Sequence, residues 1–300
     1  MATLLELTQQ GDPGTIVDEA RLDKITLMKP QELYELWERQ NWQSQAIDLE
    51  RDRASWKEID ERERRELLWG LSSFFVGEER VTTQFSGLVM AYEDEAEEAF
   101  LTTQQVDEAR HMQFFDRYYR EVFAFEDPDI HARLARVREH ITDTFVQLFD
   151  NDLVVAANKL ISDPSDITAK VEFVTCYHMV IEGTLALTGQ WFNLDWFERH
   201  GGFPGFVEGF SNIARDEHRH VAYGTWYLQQ KAHDPELARA AQDTLARLLP
   251  VAAGVLVPPG KALGEEYTYL GHTAEELNAY AFTALSRRLK VIGLGLPAMV

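Results

Sequence analysis

The chain has 300 residues, 45% of them hydrophobic, which is enough apolar side chain for a substantial core. Acidic residues outnumber basic residues by 50 to 29, and the formal net charge is -21. This negative charge argues against nucleic acid or an anionic membrane surface as a partner.

The sequence also has the features of a protein from a reducing compartment without a transmembrane segment. Its one cysteine, Cys176, cannot form an intramolecular disulfide. Residues 1–14 lack the basic and apolar regions of a secretory signal, and the longest apolar stretch, 248–259, is too short to span a bilayer. We therefore expect a cytoplasmic protein.

Apolar residues recur three and four positions apart between clusters of proline and glycine, a pattern typical of amphipathic helices. The pattern predicts an all-α protein with one domain over residues 1–300. Residues 1–29 are expected to form an irregular segment on the surface or on a partner subunit. The predicted helices span residues 30–40, 60–92, 95–123, 130–161, 165–198, 206–231, 235–256 and 273–290.

The second predicted helix has an acidic residue, Glu78, on its apolar face. The neighbouring residues of that face, at spacings of three and four, are Leu71, Phe74, Val81 and Phe85. Burying a carboxylate among such neighbours is costly unless it is protonated, paired or bound to a metal ion. Glu78 is therefore a candidate ligand.

Three later helices repeat this anomaly. The third predicted helix has Glu108 and His111 in the middle of its apolar face, where a spacing of three places both on the same side. A later helix has a lone glutamate, Glu182, on its apolar face. The helix after it has Glu217 and His220 at the same spacing of three.

The chain thus reads Glu, Glu-x-x-His, Glu, Glu-x-x-His, which is the ligand set of ferritin-like di-iron and di-manganese carboxylate bundles. We predict a ferritin-like helical bundle with a dinuclear metal site in its core. Carboxylates and imidazoles suit manganese or iron, while the lack of a thiolate cluster argues against structural zinc and iron-sulfur centres. Asp216 is predicted to orient a ligating imidazole. The six candidate ligands are Glu78, Glu108, His111, Glu182, Glu217 and His220.

Other polar residues near these motifs receive structural interpretations. We interpret His178, one turn before Glu182, as a hydrogen-bonding core histidine, and His218 as an exposed residue. Arg110, Arg215 and Arg219 are interpreted as solvated or intersubunit charges.

Several segments resemble the small subunit of ribonucleotide reductase and, more closely, its relatives the ligand-binding oxidases. These segments are residues 75–82, 107–111, 181–189 and 215–220, and residues 51–56 are also similar. The resemblance extends over most of the chain from about residue 48 to residue 227.

The resemblance implies a manganese and an iron ion, with two iron ions as the alternative. Glu78, Glu108 and His111 would surround manganese, and the other three ligands would surround iron. The resemblance also implies a homodimer, activation of dioxygen, and a long-chain fatty acid or similar lipid-like ligand whose carboxylate reaches the metals. An ether cross-link would join Val81 to Tyr177. We expect the ligand pocket to be lined by Phe85, Phe115, Leu185 and Val221.

Two alternatives remain open from the sequence. The first is a radical-generating small subunit of ribonucleotide reductase, although Phe115 stands where a radical tyrosine is usual and residues 293–300 are short and apolar. Some small subunits with phenylalanine at that position use a manganese-iron pair instead. The second alternative is a non-enzymatic ferritin-like protein that binds or stores metal.

Overall fold

The computed structural model describes Gly14 and residues 19–297 and contains long α-helices around one connected hydrophobic core. The α-helices are α1 (Pro30–Arg39), α2 (Glu50–Trp56), α3 (Glu61–Gln84), α4 (Ser86–Met90), α5 (Glu95–Glu121), α6 (Ile130–Val137), α7 (Asp143–Phe145), α8 (Leu153–Ser162), α9 (Ile167–Val174), α10 (Leu187–His200), α11 (Pro204–Lys231), α12 (Pro235–Val255) and α13 (Ala274–Ile292). Short 3-10 helices span Glu19–Lys24, Ser44–Ala46 and Arg138–His140, and π-helical segments span Val146–Asp152 and Thr175–Ala186.

The predicted all-α fold is confirmed, with corrections to individual elements. The helix predicted at 60–92 is divided at Phe85 into α3 and α4. The helix predicted at 130–161 is divided near Thr142, whose extended backbone and side-chain bond to the amide of Phe145 begin a new helix. The helix α2 was not predicted, because a helix of seven residues gives little periodic signal.

A small β-hairpin between α12 and α13 also departs from the all-helical expectation. Its strands β1 (Thr268–Tyr269) and β2 (His272–Thr273) pair antiparallel. Leu270 and Gly271, which connect the strands, both have positive φ, of 50° and 90°. Two-residue type I′ turns require positive φ at both positions.

Four helical segments pack together around the middle of the molecule. α3 packs on α5, α5 on α11, and α11 on the π-helical segment Thr175–Ala186. That segment is continuous with α9 and α10, since the residues at both of its ends are right-handed helical. No helix among residues 19–297 is long and apolar enough to cross a membrane.

The N-terminus of α11 is held by a buried carboxylate from a distant part of the chain. Asp52 accepts hydrogen bonds from the backbone amides of Gly205, at 2.9 Å, and Phe206, at 2.7 Å. Gly205 has no room for a side chain, because a Cβ atom there would overlap the carbonyl oxygen of Asp48. This contact fixes the start of the helix that carries Glu217 and His220.

We expect the substitution Asp52→Ala to lower the free energy of unfolding by about 2 kcal/mol, because it removes a helix cap and leaves two buried amides unsatisfied. Urea unfolding followed by circular dichroism measures the change. Asp129→Ala is the matched control, since Asp129 caps α6 at an exposed position. It should cost less than about 1 kcal/mol. Equal losses in the two variants would contradict the interpretation.

Candidate metal centre

The structure brings all six candidate ligands together in the interior. The most exposed of them, Glu78, is only 6% exposed. Their ligand atoms form two groups, within each of which all atoms lie within 4.8 Å of one another. One group is Glu78, Glu108, His111 and Glu217, and the other is Glu108, Glu182, Glu217 and His220. Glu108 and Glu217 belong to both groups and therefore lie between them.

Each imidazole faces three carboxylates through its Nδ1 atom. Nδ1 of His111 lies 3.4 Å from Glu78, 3.6 Å from Glu108 and 3.4 Å from Glu217. Nδ1 of His220 lies 3.1 Å from Glu108, 3.3 Å from Glu182 and 3.5 Å from Glu217. Donor atoms around an ion with bonds of about 2.1 Å lie about 3 Å apart in an octahedral shell, so these spacings suit a metal ion.

Unsatisfied buried atoms support the same conclusion. Within the described part of the chain, hydrogen-bond partners are lacking for Nδ1 of His111, Nδ1 of His220, and one carboxylate oxygen each of Glu182 and Glu217. Buried polar atoms without partners are rare in native proteins, and an ion can account for them. When ionised, the four buried carboxylates would carry four negative charges, which two divalent cations would balance. The residues therefore fit a pair of divalent ions.

The electrostatics of the site show why positive charge is needed there. Burial raises the pKa of Glu78 to about 8. Burial and the charge of Glu217 raise the pKa of Glu182 well above its usual value. Burial also acts to raise the pKa of Glu108, but the adjacent His220 and His111 outweigh it and hold that pKa well below the usual range. Neighbouring carboxyl groups thus have pKa values shifted in opposite directions. Bound cations would favour the ionised form of all of them.

An apolar cavity of about 110 Å³ opens from this centre. Four of the six candidate ligands, the glutamates, form its inner end, and Val81 and Leu185 lie beside them. The remaining lining is mainly apolar and comes from α3, α7, both π-helical segments, α10, and residues in or near α12, β1 and α13. It includes Phe74, Phe145, Phe149, Ile181, Phe192, Leu256, Tyr269 and Leu277.

A model of the family described as "Ribonucleotide reductase, small chain" matches residues 21–293. The chain belongs to this family. Solved structures of the R2-like ligand-binding oxidase share its fold. The oxidase with aerobically reconstituted Mn/Fe cofactor is 26% identical, and the match covers 87% of this chain and 92% of that chain with a TM-score of 0.75. A variant with anaerobically reconstituted Mn/Fe cofactor is 25% identical, with coverage of 90% and 97% and a TM-score of 0.73.

These comparisons confirm the predicted ferritin-like bundle and the resemblance to the ligand-binding oxidases. Of the four predicted pocket residues of this small-chain homologue, Leu185 lines the cavity. Phe85, Phe115 and Val221 do not line it and are packed in the core. Phe85, the residue that follows the last residue of α3, lies against the ring of Tyr177 at 5.1 Å between centroids.

Two aspartates contact the two imidazoles of this small-chain homologue. Asp216 accepts from Nε2 of His111, at 3.3 Å. Asp107 accepts from Nε2 of His220, also at 3.3 Å, and was missed by the sequence reasoning. Hydrogen bonds from Nε2 leave the Nδ1 lone pairs facing the glutamates. The signal was present in the sequence, because each aspartate directly precedes the glutamate of its Glu-x-x-His motif.

Arg219 is not the solvated or intersubunit charge predicted from the sequence. It is 1% exposed and donates hydrogen bonds to Asp107, at 2.9 Å, and Asp216, at 2.5 Å. Arg110 occupies the equivalent place in the other motif and donates to Asp107 at 3.0 Å. The two arginines balance the two aspartates, so the charge of the four glutamates remains to be balanced by any ions that bind.

His218 was predicted to be exposed, and this prediction is wrong. Its side chain is 2% exposed, and its Nδ1 atom lies 2.6 Å from the carbonyl oxygen of Ala214. α11 packs against neighbours on several sides, so it has no fully solvated face in this region. His178 is a buried hydrogen-bonding residue, as predicted, with Gln104 as its partner.

The π-helical segment Thr175–Ala186 brings together two residues that an α-helix would separate. Tyr177 and Glu182 are five residues apart, which would place them well apart around an α-helix, but a π-helix repeats its bonds every five residues. The hydroxyl of Tyr177 donates to Glu108 at 2.7 Å. The side-chain amide of Gln104 donates to Glu182 at 3.2 Å, a contact that the sequence reasoning missed.

Proposed function

We propose that this protein is a dioxygen-activating di-metal oxidase that binds a fatty acid or a similar lipid-like molecule. The observation that carries the proposal is the apolar cavity that ends at the four buried glutamates. A carboxylate headgroup at the inner end would reach the ions, and the alkyl chain would leave water at a gain of about 0.8 kcal/mol per buried methylene. Manganese and iron, or two iron ions, would supply the oxidising power when bound.

The chain's own residues have three tasks in this proposal. The six candidate ligands hold the ions, and Asp107 and Asp216 keep both imidazoles in the tautomer that binds metal. Phe74 and Leu185, among the apolar residues along the cavity, exclude water from the reacting atoms. Glu108 accepts the hydroxyl hydrogen bond of Tyr177 and so holds the phenol oxygen at the centre.

We propose that Tyr177 also forms an ether bond to Val81 in the presence of dioxygen. Val81 lines the cavity next to the glutamates, and Tyr177 is bonded to one of them, so both side chains are presented to the same centre. Forming the bond removes the hydroxyl hydrogen of Tyr177 and one carbon-bound hydrogen of Val81. Dioxygen accepts the two protons and two electrons that these bonds release.

The test is peptide mass spectrometry of protein that has been loaded with manganese and iron in air. Trypsin would release Val81 at the start of the peptide 81–110 and Tyr177 within the peptide 171–199. We expect these two peptides to appear joined, with a mass two hydrogen atoms below their sum. Loading without dioxygen is the first control, and the variant Tyr177→Phe is the second. Both controls should yield only separate peptides.

The same experiment separates the oxidase from the alternative of a radical-generating reductase subunit. That alternative is favoured by the family to which the chain belongs. Phe115, at the position of the usual radical tyrosine, packs on Phe74 and Phe210 and offers no hydroxyl. Separate peptides after aerobic loading, together with co-purification of a large reductase subunit, would favour the reductase. An unlinked protein that only accumulates iron would favour a storage role.

A further inference from the structure

The cavity is elongated along two helices that face each other across it. On one side its lining runs along α3 from Glu78 to Gly70, eight residues earlier. On the other side it runs from Glu182 through Leu185 and Gly189 to Asn193. At a rise of about 1.5 Å per residue, eight residues of α3 extend about 12 Å from the metal centre.

Tyr269 occupies the end of the cavity that is distant from the metal centre. Its hydroxyl donates to the side-chain oxygen of Asn193 at 2.9 Å, and its ring lies edge-on to Trp69 at 5.0 Å. A Cβ atom on Gly70 would overlap the hydroxyl oxygen of Tyr269, so the glycine makes room for the ring. Tyr269 is only 4% exposed and therefore fills the space between α3 and α10.

The hairpin holds this side chain in place. Tyr269 is the last residue of β1, and the backbone amide of the next residue, Leu270, donates to Glu66 at 2.7 Å. Glu66 lies on α3, so the turn of the hairpin is bound to the helix that lines the cavity. The side chain of Tyr269 is thus held at its hydroxyl by the bond to Asn193 and at its backbone by the hairpin.

We propose that Tyr269 determines the length of the ligand that the cavity accepts. The inference rests on the proposed function, because it assumes an extended alkyl chain whose carboxylate lies at the glutamates. An extended chain advances about 1.25 Å per carbon for bonds of about 1.5 Å at ordinary angles. A distance of about 12 Å therefore accommodates about ten carbons before the chain meets Tyr269.

The test is isothermal titration of the manganese- and iron-loaded protein with saturated fatty acids from octanoic to stearic acid. In the wild-type protein we expect affinity to rise about fourfold per added carbon up to about ten carbons, and then to fall. The variant Tyr269→Ala should move the optimum to longer acids by several carbons. Tyr269→Phe keeps the ring and should keep the optimum.

Tyr269→Leu guards against a folding defect, since it retains an apolar side chain in the core and should give a smaller shift in the same direction. If the optimum stays unchanged in both the alanine and leucine variants while the acids still bind, Tyr269 does not set the length. If no acid binds the wild-type protein or any variant, the proposed ligand class is wrong, and the inference falls with it.

Discussion

Replacing Glu217 by alanine is expected to lower the metal content from two ions per chain to less than one. Glu217 belongs to both groups of ligand atoms, so its loss weakens both positions at once. Changing a residue that only supports a ligand commonly costs about 10- to 100-fold in metal affinity, and the loss of a direct ligand should cost at least as much. The measurement is elemental analysis of desalted protein after loading with manganese and iron.

Glu208→Ala is the matched control, because Glu208 lies on the same helix but is exposed. This variant should retain both ions. Without metal, Glu217→Ala should unfold at a temperature no lower than the wild-type protein, since it removes one of four crowded buried carboxylates. Metal should then raise the unfolding temperature of the wild-type protein much more than that of Glu217→Ala. Two retained ions in Glu217→Ala would disprove the ligand assignment.

The second large effect is expected at Arg219. The substitution Arg219→Met should lower the free energy of unfolding by about 3–5 kcal/mol, because it leaves buried carboxylates without their compensating cation. Both affected carboxylates, Asp107 and Asp216, also hold imidazoles of the metal centre. Urea unfolding of the metal-free protein measures the loss independently of metal binding.

A double variant tests the reason for this loss. Combining Arg219→Met with Asp107→Asn removes one negative charge together with the positive one, so we expect it to recover part of the stability. Arg110→Met is the comparison on the opposite motif. The Arg110 side chain is 13% exposed and that of Arg219 is 1% exposed. Arg110→Met should therefore lower the free energy of unfolding less than Arg219→Met does. A loss below about 1 kcal/mol for Arg219→Met would show that solvent screens the pair.

The six candidate ligands could be found from the sequence because burial makes their positions conspicuous. A carboxylate such as Glu78 among apolar residues at helical spacing requires a compensating partner. Two Glu-x-x-His motifs and two lone glutamates on separate long helices then define a dinuclear centre before any contact is known. Asp216 was predicted from its position directly before Glu217, and the same Asp-Glu pair would have identified Asp107.

The helical class, the four segments that carry the candidate ligands and the family were thus all readable from the amino-acid sequence. The π-helical segment that aligns Tyr177 with Glu182 became visible only in the folded chain, since local spacing cannot show which hydrogen-bond repeat packing will favour. The burial of Arg219 and the position of Tyr269 likewise became visible only in the folded chain. Both depend on residues far apart in the chain, and helical periodicity carries no information about which segments will meet.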